Sequence, residues 1–486
     1  MTTPKDLIQQ ADRALVAHPS FGDTPRILAR VITRYRFGLE LFAERLPSLA
    51  RTVTAIEALD DGEARRIFFD PLVRLALEQA FSDLETGRLQ SPHPLEECLP
   101  AALAALPLGL SESRMPSRWL VGQDTPKWLW GAAQATDPYS LALQAAFDGV
   151  FGARPGSSGK LLSPDAEAQR RLNDAIELLT TLLPHSGVGA LTHVEAIALL
   201  SARLEGGTVL SAAGGDLTPS TIFLAIRDLG NPWDIAGCIL HEALHMKLFD
   251  ATRSTALVAQ PEETIQVPWR NIRWSIVRAV FSYHVYVHLA LFKAAALSAD
   301  DVLLRRFGDP SAYLSHAHAT SVERKPGAPG YDRSIDRTRF LGQQLSTEWS
   351  HLLTPQGRDF VRWLNDSLEP VSRAVYGDAV RESPPPTVDL TAYRKTRGLR
   401  ARASPRGECL MVFSPEAPRI HWLDLNAWLI FELSDGRTLP EMERAYLEVV
   451  GGRVDAAEAR RQLRTGLDSL VRSTLVEPTR QQGEAT

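Results

Sequence analysis

Cysteine is scarce in this chain: Cys98, Cys238 and Cys409 are the only three in 486 residues. Their odd number and wide spacing exclude a disulfide framework and a thiolate zinc site, and the compartment expected from them is the reducing cytoplasm. A basic excess is missing too. The 53 Lys and Arg residues face 58 Asp and Glu, for a formal charge of -5, which disfavours nucleic acid as a partner because little is available to neutralise phosphates. No 18 apolar residues run uninterrupted, so no membrane span or membrane partner is expected. The polar start MTTPKDLIQQADRAL lacks the basic and apolar regions of a signal peptide. Internal repeats and low-complexity tracts are likewise absent.

What is present is an ordinary globular composition, 44% hydrophobic and 23% charged, long enough for two to four domains at roughly 100–200 residues each. Over residues 21–110, apolar positions recur every three and four residues, as in ARVITRYRFGLELFAERL, and predict a helical layer. The stretch PGSSGK is not a phosphate loop, because Arg154 and Leu161 stand where glycine and Ser or Thr are required. Residues 154–163 read as a mobile turn. Residues 165–183 predict another helix, and the glycine-punctuated apolar runs over 194–226 a small sheet. Asn231 and Pro232 start a helix that reaches Thr252, and helices dominate 271–376, broken by the loop ERKPGAPGYDR. The proline run ESPPPTVDL marks a boundary. Beyond it, CLMVFSP and RIHWLDL read as strands, NAWLIFEL, LPEMERAYLEVV and AAEARRQLRTGLDSLVRS as three helices, and STLVEP as an exposed closing strand or wing.

The most informative pattern is His241-Glu242-Ala243-Leu244-His245 within AGCILHEALHMKLF. Histidines four apart on a helix differ by about 40° in direction and about 6 Å in rise, so both imidazoles can meet one cation. Glu242 can serve as a general base toward metal-bound water or orient a ligand. The surrounding apolar residues bury the helix, and buried histidines need partners. A third ligand is required. Asp250, rotated about 180° from His241, is expected to end or cap the helix. His284, with His288 as the alternative, comes from the apolar helix VFSYHVYVHLALF, while Glu262 and Glu263 are further options. His316 and His318 are expected near the surface. Among Arg270, Arg273 and Arg278 one could clamp a carboxylate bidentately, although exposed charges on an amphipathic helix are the plainer reading for at least two of them.

The central segment STIFLAIRDLGNPWDIAGCILHEALH, with the later DRTRFLGQQL and LTPQGRDFVRWL, resembles the HExxH-motif domain that accompanies ribosomally synthesised peptide natural products. The likeness spans most of residues 20–380, with only the HExxH core specific. It implies an iron(II) and 2-oxoglutarate dependent hydroxylase acting on a peptide. His241 and His245 match residue by residue, His284 by position alone. The stretch IHWLDLNAWLIFELSDGRTLPEMERAY resembles the PqqD-like recognition domain, a winged helix-turn-helix that binds leader peptides. That resemblance implies a leader strand added to the CLMVFSP and RIHWLDL edge and lying along the third helix, against Val412, Phe413, Ile420, Trp422, Arg461 and Arg464.

The expected protein is therefore α+β and mostly helical. A zincin-like HExxH catalytic domain occupies residues 1–383, a Pro-rich linker 384–402, and a PqqD-like domain 403–480. The expected activity is hydroxylation of a core residue in a leader-bearing precursor peptide. A zinc peptidase that removes the leader, with Glu242 activating water, and a non-catalytic peptide-binding scaffold stand as alternatives.

Overall fold

The computed structural model describes residues 3–106, 119–122, 127–130, 158–203, 212–213, 218–225, 231–270, 273–315, 331, 333–377, 391–403, 410–414, 419–450 and 455–480, with isolated positions between 141 and 148. The chain is mostly helical with small sheets, an α+β architecture, and it divides into two units, Met1–Asp378 and Ala379–Thr486.

Six helices open the first unit: α1 (Pro4–Ala17), α2 (Thr24–Arg45), α3 (Ala50–Glu57), α4 (Asp61–Phe68), α5 (Pro71–Glu85) and α6 (Pro94–Ala105). Their starts are written into the sequence. Thr3, Asp23, Asp60 and Asp70 cap α1, α2, α4 and α5 by accepting first-turn backbone N–H groups, which would otherwise have no partner. Helices α2 to α6 enclose one apolar core that includes Tyr35, Phe42, Phe68 and Leu77.

A mixed sheet follows, ordered β1 (Trp119–Val121), β2 (Lys127–Trp130), β4 (Ala196–Arg203), β6 (Thr221–Leu224) and β5 (Ala212–Ala213), with β3 (Ser158–Leu162) also on β4. The central strand β4 runs parallel to both β2 and β6. Its inner residues from Ala196 to Leu200 are almost fully buried, as expected of a strand covered on both faces. Two expectations are corrected here. Residues 158–162 form a strand, not a turn, because pairing with Leu199–Arg203 overrides their glycine-rich composition. The sheet also begins at Trp119, well before the expected 194.

Helices α7 (Ala166–Leu182) and α8 (Ser186–Leu191) precede β4, and α9 (Pro232–Thr252) follows β6. A short hairpin, β7 (Thr264–Ile265) with β8 (Trp274–Ser275), leads into α10 (Ile276–Leu297). The small helices α11 (Asp301–Phe307) and α12 (Ser311–Ser315), then α13 (Ser334–Ser346) and α14 (Pro355–Tyr376), complete the unit. Helix α9 packs on α7, α8 and α10, while α10 lies between α9, α13 and α14. Among the described residues α10 is the one helix long and apolar enough to cross a membrane, yet 83% of its apolar window is buried within the protein. His316, His318 and most of the ERKPGAPGYDR loop lie outside the described residues.

The second unit contains β9 (Thr391–Lys395), β10 (Arg400–Ala403), β11 (Leu410–Ser414), β12 (Arg419–Leu423), α15 (Leu425–Leu433), β13 (Asp435–Thr438), α16 (Leu439–Val450), α17 (Ala456–Arg472) and β14 (Val476–Arg480). One sheet has the order β10-β11-β12 and the other β13-β9-β14. Strands β9 and β10 therefore occupy part of the expected 384–402 linker, a correction whose cause is long-range: β9 gains both of its partners from chain more than 35 residues onward. The closing strand is not an exposed wing either, since β14 pairs along all of β9 and Val476 is buried.

Candidate metal centre and peptide groove

Helix α9 starts where the Asn-Pro pair places it: the Asn231 side chain accepts the Asp234 N–H at 2.9 Å, and Pro232 fills the first turn. Most of the helix is buried, so it is a core element. Its one opening is a stripe of half-buried residues, Cys238, His241, His245 and Phe249, spaced as one helical face. The His241 and His245 rings lie 5.0 Å apart at 62°. Glu242 is buried, with its Oε1 4.0 Å from His241 Nε2. Ligand atoms of His241, Glu242 and His245 all fall within 4.8 Å of one another.

His245 stacks on Phe281 of α10, with centroids 6.4 Å apart at 18°. Desolvation lowers its pKa to about 4, leaving a neutral imidazole with a lone pair, the form that binds metals. Two half-exposed imidazoles with one buried carboxylate beside them, all within 4.8 Å, fit a divalent transition metal. No external ligand from another element joins them among the described residues.

His284 was expected to do so and does not join this group. Its ring packs against His288 at 4.6 Å and against Phe360 and Trp363 of α14 at 5.7 and 6.5 Å. The alternative, His288, points its Nδ1 at the His284 carbonyl, 2.9 Å away. Phe281 of α10 makes the ring contact with His245, and the charge of His245 also reaches the buried His284. Glu262 and Glu263 are exposed and also lie outside the group.

The arginines divide. Arg273 donates to the Thr264 carbonyl at 2.6 Å and to its hydroxyl at 2.9 Å, so it staples the β7–β8 hairpin. Arg270 is buried and Arg278 exposed. Their guanidinium carbons lie 5.7 and 4.7 Å from the centre of the Trp274 ring.

Asp250 is not a helix-end cap. It is 1% exposed and is the hub of a buried network that sequence reasoning missed. Arg74 of α5 pairs with it, Arg253 approaches at 3.3 Å, and His193 Nδ1 donates to it at 2.6 Å. Arg74 also donates to Tyr35 and Ser220, and Glu78 collects Tyr35, Arg34 and Arg253. Burial alone would raise the Asp250 carboxyl, but Arg74, His193 and Arg253 hold it below the ordinary carboxylate range. The available signal was Arg74, a charge at a core-facing step of an apolar helix.

Three fully buried histidines make stability pH-dependent. Desolvation lowers His193 to about 4, His288 to about 3, and His284 well below its usual value. Each binds its proton in the unfolded chain first, near about 6.5, so stability is complete above that pH and falls as pH drops toward the folded values. Each group contributes a slope of about 1.4 kcal/mol per pH unit in that window. Urea denaturation midpoints should therefore fall steeply between about pH 6.5 and 4, and a flat profile would contradict this assignment.

In the second unit a groove of about 500 Å³ runs between β12 and α17, lined among others by His421, Trp422, Arg461, Thr465, Gly466 and Ser469. Strand β12 is a sheet edge, so its outer hydrogen-bonding side borders this groove. Trp422 is 66% exposed. Val412, expected to touch peptide, is instead fully buried: pairing with His421 puts it on the core-facing parity of β11. Phe413 is half-buried on the opposite face. Arg461 lines the groove and pairs with Glu458, whereas Arg464 bonds Glu443 at 2.8 Å. The side chain of Ile420 lies outside the described residues, though its backbone pairs with Phe413.

No family model matches the chain, and no curated protein matches it.

Proposed function

We propose that the protein is a peptide-tailoring oxygenase, an iron(II) and 2-oxoglutarate dependent hydroxylase that acts on a leader-bearing, ribosomally made precursor peptide. The observation that carries this reading is the donor set. His241, His245 and Glu242 supply two imidazoles and one carboxylate within 4.8 Å, the combination that suits non-haem iron(II) with coordination positions left for small ligands. Iron would supply oxidation of an aliphatic carbon by dioxygen, with 2-oxoglutarate as the co-substrate that is decarboxylated to succinate. His241 and His245 would hold the ion through neutral imidazoles, and Glu242, buried behind them, would complete the set. Phe281 packs on the His245 ring, and the half-buried stripe would give a substrate access to the centre. Arg270 or Arg278 would serve the co-substrate's carboxylate.

The second unit, read as a winged helix-turn-helix of the PqqD-like kind, would capture the leader. The free edge of β12 offers backbone donors and acceptors to an added strand, and the α17 wall with Thr465, Gly466 and Ser469 leaves room for its side chains. Tethering the leader there raises the effective concentration of the core peptide at the metal.

A second reading, a zinc peptidase, draws on the same cluster, with Glu242 as base toward a metal-bound water. Products separate the two. Incubation with iron(II), 2-oxoglutarate, dioxygen and a leader-bearing precursor should yield succinate, carbon dioxide and a peptide heavier by one oxygen. Cleavage fragments obtained with zinc would replace the hydroxylase by the peptidase. The groove is tested by Thr465→Arg, which fills it: leader-peptide affinity should fall by more than about tenfold, as loss of about 1.4 kcal/mol does, with metal content unchanged. Equal affinity would remove the leader from this groove.

A further inference from the structure

The metal centre and the groove leave one face of the second unit without a role. In the β10-β11-β12 sheet, residues directly opposite one another share a face, so the pairing sets Arg402, Met411 and Trp422 in one row and Arg400 beside Phe413 in the next. The alternate residues Leu410, Val412 and Leu423 belong to the core, which puts both rows on the outer face. Trp422 is 66% exposed, Arg400 and Arg402 are exposed, and Met411 and Phe413 are half-buried. Among the described residues, none of these side chains packs against the core of the unit.

The charge on this face is uncompensated. Residues 391–403, TAYRKTRGLRARA, include Arg394, Lys395, Arg397, Arg400 and Arg402 and no acid. Arg394 and Lys395 are engaged by Glu477 at 2.8 Å and Glu432 at 2.6 Å. Arg400 and Arg402 make no ion pair or hydrogen bond among the described residues, and no carboxylate stands in either row. The result is an apolar and aromatic strip bordered on one side by two open guanidinium groups. Burial of such a strip favours association, and the arginines select carboxylates.

We propose that this outer face docks an acidic amphipathic helix of a partner polypeptide, separate from any peptide in the groove between β12 and α17. The spacing fits. Arg400 and Arg402, two apart on a strand, lie about 7 Å from one another, and carboxylates four apart on a helix rise by about 6 Å. A helix laid along the strands would set its apolar stripe on Met411, Phe413 and Trp422 and its acidic stripe over the arginines. Covering a bare sheet face with a helix is also the ordinary layer arrangement of proteins. The formal charge of -5 on the chain disfavours nucleic acid here, and two open arginines fall short of the clusters of about four to eight basic residues that anionic membranes recruit.

The test uses the full chain and two labelled synthetic helices, one with a Leu stripe flanked by Glu at every fourth position, the other with each Glu replaced by Gln. Fluorescence anisotropy should show the Glu helix binding about tenfold or more tightly than the Gln helix, with affinity falling as salt rises. Arg400→Glu/Arg402→Glu should remove that preference. Both positions are exposed on an edge strand, so the substitutions leave the core of the unit intact. Thr465→Arg, which fills the groove, should leave binding of the Glu helix unchanged. Binding lost in Thr465→Arg, or kept in the double variant, would overturn the proposal, as would equal affinity for the two helices or none for either. Phosphatidylserine vesicles or an oligothymidylate that bind more tightly than the Glu helix, and are released by the double variant, would overturn it in favour of a lipid or a nucleic acid.

Discussion

Replacing His241 by alanine should abolish hydroxylation and weaken metal binding at the α9 centre by more than the roughly 10- to 100-fold that loss of an outer-shell partner costs. His241 and His245 are two of the three donors gathered there, and the substitution would leave one imidazole and one carboxylate for the proposed iron. Glu242→Gln separates two roles. The amide keeps the shape of the side chain and removes its charge. If Glu242 is a ligand, iron content falls with activity. If it acts only as a base, iron is retained while turnover drops by about 10²–10⁴-fold. Elemental analysis alongside succinate production reads both, and full turnover in His241→Ala would remove the metal centre altogether.

The second large effect concerns stability. Asp250→Asn should cost about 3–5 kcal/mol, the range for breaking a buried ion pair and leaving its partner charged. Arg74 is 0% exposed, and without the carboxylate its remaining partners are the hydroxyls of Tyr35 and Ser220. Arg74→Met should cost less, because Asp250 keeps Arg253 and His193. The double variant Arg74→Met/Asp250→Asn should be less destabilised than the sum of the single losses, since the two side chains share one interaction. Equilibrium urea unfolding measures all three, and strictly additive losses would mean that the pair is not coupled in the folded protein. The network joins α2, α5, the approach to β4 and β6, and the last turns of α9, so its loss also loosens the helix that carries His241 and His245.

Much of the local framework was legible in the sequence. The Asn231-Pro232 start, the apolar steps of α9 and the N-terminal caps follow from neighbours within a few residues, and local chemistry decides them. The HExxH pair could be placed on one face before any tertiary contact was known. The rest depends on distant partners. Ser158–Leu162 becomes a strand only because Leu199–Arg203 lies beside it, and β9 only because β13 and β14 flank it. Val412 and Phe413 differ in burial through strand parity, which a short apolar run cannot reveal. His284 could be put on the next helix, but the direction its ring takes is set by how α10 crosses α9 and α14. The Asp250 hub was invisible for the same reason, since Arg74 and His193 reach it from 176 and 57 residues away.

The two edge strands of the β10-β11-β12 sheet present different side chains among those described. Strand β10 carries Arg400 and Arg402, both exposed, and a charged edge resists pairing with another copy. Strand β12 carries Trp422 at 66% exposure. A bound peptide would therefore act as a chaperone for this strand as well as a substrate handle. Purified without it, the protein should self-associate at high concentration through β12, and added leader peptide should dissolve the assemblies, a solubility signature visible in light scattering.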